Sequence, residues 1–106
     1  MSQFCQVWLT CGDADEASKI VNTLLAKHLV ACVKQVPITA DFRWQGKIDK
    51  SNEVLLVMDS RLDLFEDIEK EVARIHSYET FVLQAIPVAK VSQGAKTWLE
   101  KELIRE

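Results

Sequence analysis

The stretch that decides the fold is VACVKQVPITADFRWQGKI, residues 30–48, which reads as one very long β-strand. Strands in globular domains usually hold about 5 or 6 residues. A strand of this length must extend beyond its own sheet, so the rest of the sequence has to indicate what covers it.

Length and composition predict a single domain in the cytoplasm. The chain has 106 residues, 48% of them hydrophobic, which is enough to fill one core, and we assign residues 1–106 to one domain. No apolar run approaches the roughly 20 residues that cross a bilayer, and the N-terminus does not have the pattern of a signal peptide. We therefore expect no membrane partner.

The charge balance and the cysteine spacing limit the partners and the cellular compartment that we expect. The 13 basic and 16 acidic residues are mixed along the chain and leave a formal net charge of −3. Because the basic residues form no stripe, we do not expect nucleic acid to be a partner. Cys5, Cys11 and Cys32 lack the close spacing of a zinc knuckle or a redox pair. This spacing favours reduced thiols in a reducing compartment.

The residues before the long strand predict a strand and a helix. Residues 3–11 alternate between two faces, and both faces carry bulky side chains. Asp13 and Glu16 have the spacing of a capping box, and apolar residues follow at helical spacing as far as Leu29.

The residues after the long strand complete an α+β pattern. A polar turn at residues 49–52 is predicted to separate it from a central strand at residues 54–58. Ser60 is predicted to cap a second helix, residues 81–88 to form a fourth strand, and Ser92 to open a C-terminal helix. The order β-α-β-β-α-β with a terminal helix is typical of a ferredoxin-like fold, with an antiparallel sheet and both helices on one face.

This topology has two consequences for function. It brings Cys11, His76 and the segment 44–47 towards one end of the sheet, and Cys32 towards the other. It also makes the hairpin of strands 2 and 3 project with unpaired edges, which a soluble protein must cover. Another copy of the same chain is the economical cover, and a blunted monomeric edge is the alternative.

Several motifs resemble, in order, those of the CutA family of divalent-cation tolerance proteins. They are LTCG at 9–12, DEA at 15–17, VACV at 30–33, FRWQGKI at 42–48, EVLLV at 53–57, HSYE at 76–79, AIPV at 85–88 and WL at 98–99. The resemblance implies a ferredoxin-like homotrimer whose hairpins cross subunit boundaries, a design similar to that of the PII signalling proteins. It also implies a part in tolerance to copper and other divalent cations.

Two positions depart from the family pattern. The family usually shows His-Pro-Tyr-Glu where this chain has Ser77 after the histidine, and the absence of proline predicts a less rigid loop. The family's Pro-Gly after Ala-Cys becomes Pro37-Ile38. If that glycine has a positive φ, the local bend at Ile38 must differ.

Cys11 and His76 are the candidate metal ligands, because the resemblance implies a copper site with a cysteine and a histidine at these places. Thiolate and imidazole suit copper and zinc ions, and the helix start beside Cys11 predicts a lowered thiol pKa. The alternatives are a buried, inert cysteine and a histidine that the helix dipole favours. Two ligands are too few for a tight site, so Glu79, water or a neighbouring subunit would have to complete it.

Other residues have weaker assignments. A cleft between subunits would be lined by Trp44, Lys47, Tyr78 and Glu79, although buried interface aromatics would look the same from sequence. Cys32 is expected to pack in the structure. His28 is expected to be a solvated residue at a helix end.

Two classes of function follow. We expect a trimeric cytoplasmic protein that binds copper or other divalent ions weakly and contributes to metal tolerance. The alternative is a PII-like regulatory trimer that binds a small anionic metabolite in the intersubunit cleft, and a third reading is an assembly module without a ligand. No enzyme is predicted, since the sequence has no phosphate loop, no nucleophile elbow and no third group to orient a Cys–His pair.

Overall fold

The computed structural model describes residues 3–104, so the two residues at each terminus of the predicted domain lie outside the described residues. The elements in chain order are β1 (Phe4–Cys11), α1 (Ala14–Ala26), β2 (Cys32–Trp44), β3 (Lys47–Arg61), a 3₁₀ turn (Leu62–Leu64), α2 (Phe65–Ile75), β4 (Leu83–Pro87) and α3 (Gln93–Glu102). The four strands form one antiparallel sheet in the order β2-β3-β1-β4. The predicted ferredoxin-like α+β order is therefore confirmed.

The core lies between the helices and one face of the sheet. Strand β1 alternates strictly between buried and half-buried side chains, and its buried set is Cys5, Val7, Leu9 and Cys11. These side chains belong to one apolar cluster with the buried residues of α1 and α2, which are Ala17, Ile20, Val21, Leu24, Ile68 and Val72. The period-two pattern of β1 and the helical spacing of α1 therefore meet in a single core.

The long hairpin turns earlier than the sequence indicated. Trp44 pairs with Lys47, so the turn consists of Gln45 and Gly46 and the predicted turn at residues 49–52 is wrong. Gln45 and Gly46 have φ values of 51° and 78°, and positive φ at both central residues is the type I′ geometry that suits a two-residue hairpin. Residues 49–52 belong to β3, where they are polar because this part of the hairpin has no core to face.

The hairpin projects beyond the rest of the sheet, as predicted. The pairing of β1 with β3 ends where Cys11 faces Val54, whereas β2 and β3 remain paired as far as Trp44 and Lys47. The described chain is accordingly elongated, with principal extents of 45 × 26 × 20 Å.

Helix α2 begins later than predicted because Ser60 is part of β3. Ser60 pairs with Cys5 across the sheet, and its buried hydroxyl donates a hydrogen bond of 2.6 Å to the carbonyl oxygen of Leu29. The 3₁₀ turn then separates β3 from α2. The helix predictions for Asp13 and Ser92 are confirmed, since these residues occupy the N-cap positions of α1 and α3.

Strand β4 is shorter than the predicted residues 81–88. Phe81 lies before it, and its ring stacks on His76 at a centroid distance of 5.3 Å instead of joining the ladder. Within residues 3–104, none of the helices has the length and apolarity needed to cross a lipid bilayer.

The two serines that the sequence predicted as caps provide a matched test of this structure. We expect Ser60→Ala to lower the free energy of unfolding by about 1–2 kcal/mol, because it leaves the buried Leu29 carbonyl without its donor. Ser92→Ala should change it by less than about 0.5 kcal/mol, since Ser92 is exposed and its side chain makes no cap hydrogen bond. Urea unfolding at one fixed protein concentration measures both, and a larger loss for Ser92→Ala would contradict the placement of Ser60.

Candidate metal centre

Three elements bring a thiol, a carboxylate and an imidazole together at one end of the sheet. Cys11 is the last residue of β1, Glu16 lies in the first turn of α1, and His76 is the C-cap of α2. One ligand atom from each lies within 4.8 Å of the other two. These residues form the Cys11–Glu16–His76 cluster.

Glu16 is the member that the sequence reasoning missed, because it was assigned only to a capping box. Its Oε2 atom accepts a hydrogen bond of 2.8 Å from the Gly12 amide, and its Oε1 atom accepts one from the Ser77 amide. A capping-box glutamate points back towards the residues before its helix, and that geometry was the available signal. Glu79, the residue named as a third ligand, is exposed.

The ring of His76 is held between two backbone groups. Its Nε2 atom lies 2.8 Å from the carbonyl oxygen of Thr10 and must donate to it, since a carbonyl oxygen only accepts. Its Nδ1 atom accepts a hydrogen bond of 3.0 Å from the Tyr78 amide. The neutral ring therefore carries its proton on Nε2 and its lone pair on Nδ1, which lies 3.8 Å from Oε1 of Glu16.

The thiol of Cys11 does not have the lowered pKa that the nearby helix start predicted. Burial raises its pKa to about 12, and the charges of Glu16, Asp13 and Glu53 act in the same direction. Burial and these three charges together oppose a helix dipole that is equivalent to only about half a charge. The prediction is therefore wrong, and the thiol is protonated at neutral pH.

Glu16 itself is ionised at neutral pH. Burial alone would raise the pKa of its carboxyl group, but hydrogen bonds from Ser77 and Gly12, together with the nearby His76, lower it below its ordinary value of 4.5. The cluster thus contains one fixed negative charge.

The loop that follows the α2 cap, residues 77–82, is held at the same end of the sheet. The hydroxyl of Tyr78 donates a hydrogen bond of 3.2 Å to Oε2 of Glu53, which is buried and also accepts one of 2.5 Å from Ser51. Burial raises the pKa of Tyr78, and the charge of Glu53 adds to this effect. Ser77 contributes a backbone N–H that proline could not provide.

The residues named for a cleft form two separate pairs within one chain. Trp44 and Lys47 face each other at the hairpin tip, while Tyr78 bonds Glu53 and is followed by the exposed Glu79. Glu53 is six positions from Lys47 along β3, or about 20 Å at the rise of an extended strand.

Cys32 and His28 lie away from the cluster, as predicted. Cys32 pairs with Asp59, five positions along β3 from the partner of Cys11, which corresponds to about 17 Å. His28 follows α1 at the exposed surface, and its Nδ1 atom lies 2.9 Å from the carbonyl oxygen of Glu102. That partner was not foreseen from the sequence.

The donor set of the cluster fits a borderline-soft cation. Sulfur, nitrogen and oxygen ligands bind zinc at about 2.0–2.3 Å, so ligand atoms around a tetrahedral ion lie about 3.3–3.8 Å apart. The three atoms of the cluster already lie within 4.8 Å, and side-chain shifts of about 1 Å would bring them to that spacing.

Comparisons with known proteins agree on one family. The family model described as CutA1 divalent ion tolerance protein matches residues 5–102. The divalent-cation tolerance protein CutA of Archaeoglobus fulgidus is 33% identical over 95 residues, which cover 90% of this chain and 93% of that protein. The protein of the same name from Pyrococcus horikoshii is 32% identical over 96 residues, which cover 91% and 94% of the two chains.

A solved structure is similar in fold as well. The protein described as the periplasmic divalent cation tolerance protein CutA from Archaeoglobus fulgidus superposes with a TM-score of 0.91 at 31% identity. The match covers 93% of this chain and 97% of that one.

The lowered pKa of Glu16 makes the stability of the protein depend on pH. A carboxyl group whose folded pKa is lowered contributes stability that is fully present above its unfolded value of about 4.5 and is lost as the pH falls through the folded value. We expect Glu16→Gln to lower the free energy of unfolding at neutral pH. The difference from the unsubstituted protein should shrink as the pH falls below about 4.5.

Urea unfolding at fixed protein concentration between about pH 7 and pH 3 measures this difference. Glu79→Gln is the matched control, since Glu79 is exposed and its substitution should have a small effect at every pH. A loss for Glu16→Gln that stays the same across this range would show that the charge of Glu16 is not what stabilises the fold.

Proposed function

The chain belongs to the CutA1 family of divalent ion tolerance proteins, and on that premise we propose that it binds copper or another divalent ion through Cys11, Glu16 and His76 in the service of metal tolerance. The observation that carries the proposal is the meeting of a thiol, a carboxylate and an imidazole within 4.8 Å. Three protein ligands leave one position for water or for a group from another subunit.

Each side chain would contribute differently. Glu16 supplies the charge that attracts a cation, His76 supplies the lone pair on Nδ1, and Cys11 supplies sulfur once its proton has left. Because the pKa of that thiol is about 12, binding has to release a firmly held proton, and the affinity at neutral pH is correspondingly weak. The same high pKa makes Cys11 a poor nucleophile, so we propose a binding role and not catalysis.

The charge around the cluster favours a cation over the small anionic metabolite of the alternative reading. A cavity of about 260 Å³ opens beside the cluster, and its charged lining consists of Asp13, Asp15, Glu16 and Lys19. Three carboxylates and one ammonium group disfavour an anion there. A metabolite site would depend instead on Trp44 and Lys47 being brought to Tyr78 and Glu79 by a neighbouring subunit.

We further propose that the protein is a homotrimer. Among residues 3–104, no third strand lies beside the projecting hairpin. The large apolar side chains that β2 and β3 expose are Val36, Phe42, Trp44 and Ile48. An exposed strand edge with apolar side chains invites pairing unless another copy covers it. We place this trimer in the cytoplasm, because all three cysteines are free thiols, which suits a reducing compartment.

Metal titration tests the proposed site. We expect Zn(II) binding, followed by calorimetry on the tag-free protein, to weaken by about tenfold or more in Cys11→Ser and His76→Ala, because each removes one of only three ligands. Affinity should also fall as the pH is lowered, since protons compete for the same atoms. Cys32→Ser and His28→Ala are the controls and should bind as the unsubstituted protein does. Equal losses in the Cys11 and Cys32 variants would indicate scavenging by thiols and would refute the site.

Light scattering tests the assembly. We expect a mass of about 36 kDa, three times the 12.1 kDa of the chain, at micromolar concentration in moderate salt. Trp44→Ala should weaken association by about 3 kcal/mol, whereas Trp44→Phe should retain most of it, because burial of the aromatic ring supplies the energy. A monomeric unsubstituted protein would refute the trimer and the role of the hairpin together.

A further inference from the structure

The atoms that a cation would use in the cluster are already bonded to one loop. Oε1 of Glu16 accepts the amide of Ser77, and Nδ1 of His76 accepts the amide of Tyr78. The two acceptor atoms lie 3.8 Å apart, so two consecutive backbone N–H groups point at the place where a shared positive charge would sit. The partial positive charges of these two amides occupy the positions in which a bound cation would interact with the two acceptor atoms.

At His76, a cation and the Tyr78 amide compete for the same lone pair on Nδ1. An imidazole nitrogen has a single lone pair, and the other nitrogen of this ring holds the proton that it donates to the Thr10 carbonyl in β1. The amide of Tyr78 and a cation therefore cannot occupy Nδ1 together. At Glu16 the competition is weaker, because a carboxylate oxygen has a second lone pair.

The burial of the cluster is a separate reason to expect that the loop moves when a cation binds. Cys11 is 0% exposed, and so is the side chain of His76. The loop of residues 77–82 closes over the β1–α1 junction, where the Tyr78 hydroxyl and Ser77 Oγ lie 3.4 and 3.6 Å from the position that a Cβ on Gly12 would take. A cation does not reach the sulfur unless this loop moves.

We propose that the loop of residues 77–82 is a gate that cation binding displaces, while His76 stays in the cluster as a ligand. Binding at the site would thereby change the surface at this end of the sheet. Coordination at Nδ1 of His76 breaks the Tyr78 amide bond, and the loop then leaves Glu16 and the β1–α1 junction. The loop joins α2 to β4, and Tyr78 also anchors it to Glu53 on β3. The inference rests on the proposed metal site and assigns that site a sensing role.

Hydrogen exchange of the intact protein tests the displacement, with Zn(II) alone as the probe. We expect the amides of Ser77 and Tyr78 to exchange about tenfold or more faster in saturating zinc, because they lose their acceptors. The amides of Val7 and Leu56, in the paired centre of the sheet, should keep their rates. Zinc binding that shifts the His76 ring resonances while the Tyr78 amide stays protected would overturn the gate and leave the metal site standing. An absence of zinc binding would overturn both.

A variant outside the ligand set tests the gate by affinity. Tyr78→Phe removes the hydroxyl that fastens the loop to Glu53 and should raise zinc affinity by about three- to tenfold, the equivalent of one hydrogen bond. Thr97→Val removes a comparable hydroxyl bond, to the Gln93 carbonyl in α3, and should leave the affinity unchanged. If Tyr78 merely supported the site, Tyr78→Phe would lower the affinity or leave it unchanged, and either result would overturn the gate.

Discussion

The carboxylate of Glu16 connects the parts of the structure on which the candidate function depends. It accepts the Gly12 amide before α1 and the Ser77 amide after α2, so it joins two crossovers that are far apart in sequence. A largely buried carboxylate is costly unless hydrogen-bond donors replace its water, and these amides do so. Its charge has a second effect, since it helps to raise the pKa of the neighbouring Cys11 thiol. The contact that closes this end of the sheet thus adds to the effect of burial on the pKa of the thiol.

The order of elements could be predicted from sequence because it follows from side-chain periodicity. The placement of Cys11 and His76 at one end of the sheet followed from that order, but the distance between them did not. The position of the hairpin turn could not be predicted from sequence, because a polar run at residues 49–52 looks like a turn when each strand is assumed to face a core. In a projecting hairpin the same residues continue the strand. The position of Ser60 was misjudged for a related reason, since a serine before a helix resembles a cap until its strand pairing is known.

Site details that involve contacts between distant residues were not predictable from local patterns. A glutamate in a capping box ordinarily bonds within its own helix start, and the Ser77 amide becomes its partner only when α2 ends beside α1. The thiol pKa depends in the same way on Glu53, which lies on β3 and far along the chain from Cys11. Both effects are electrostatic, and they are set by distances that the fold alone determines.

The two departures from the family pattern have different structural outcomes. His76 has φ −63° and ψ 136°, the backbone that precedes proline in other chains, so Ser77 keeps that geometry and adds an amide that bonds Glu16. Ile38 pairs with Glu53 in the regular ladder, and the described non-glycine residues with positive φ are His28 and Gln45. No special bend is therefore needed at Ile38. In the proposed gate, closure of the site reduces apparent affinity by the fraction of open molecules and couples binding to a change of shape. A tight metal store would present an open thiolate, so a buried, protonated thiol under a hydrogen-bonded loop suits the proposed sensing role better than storage.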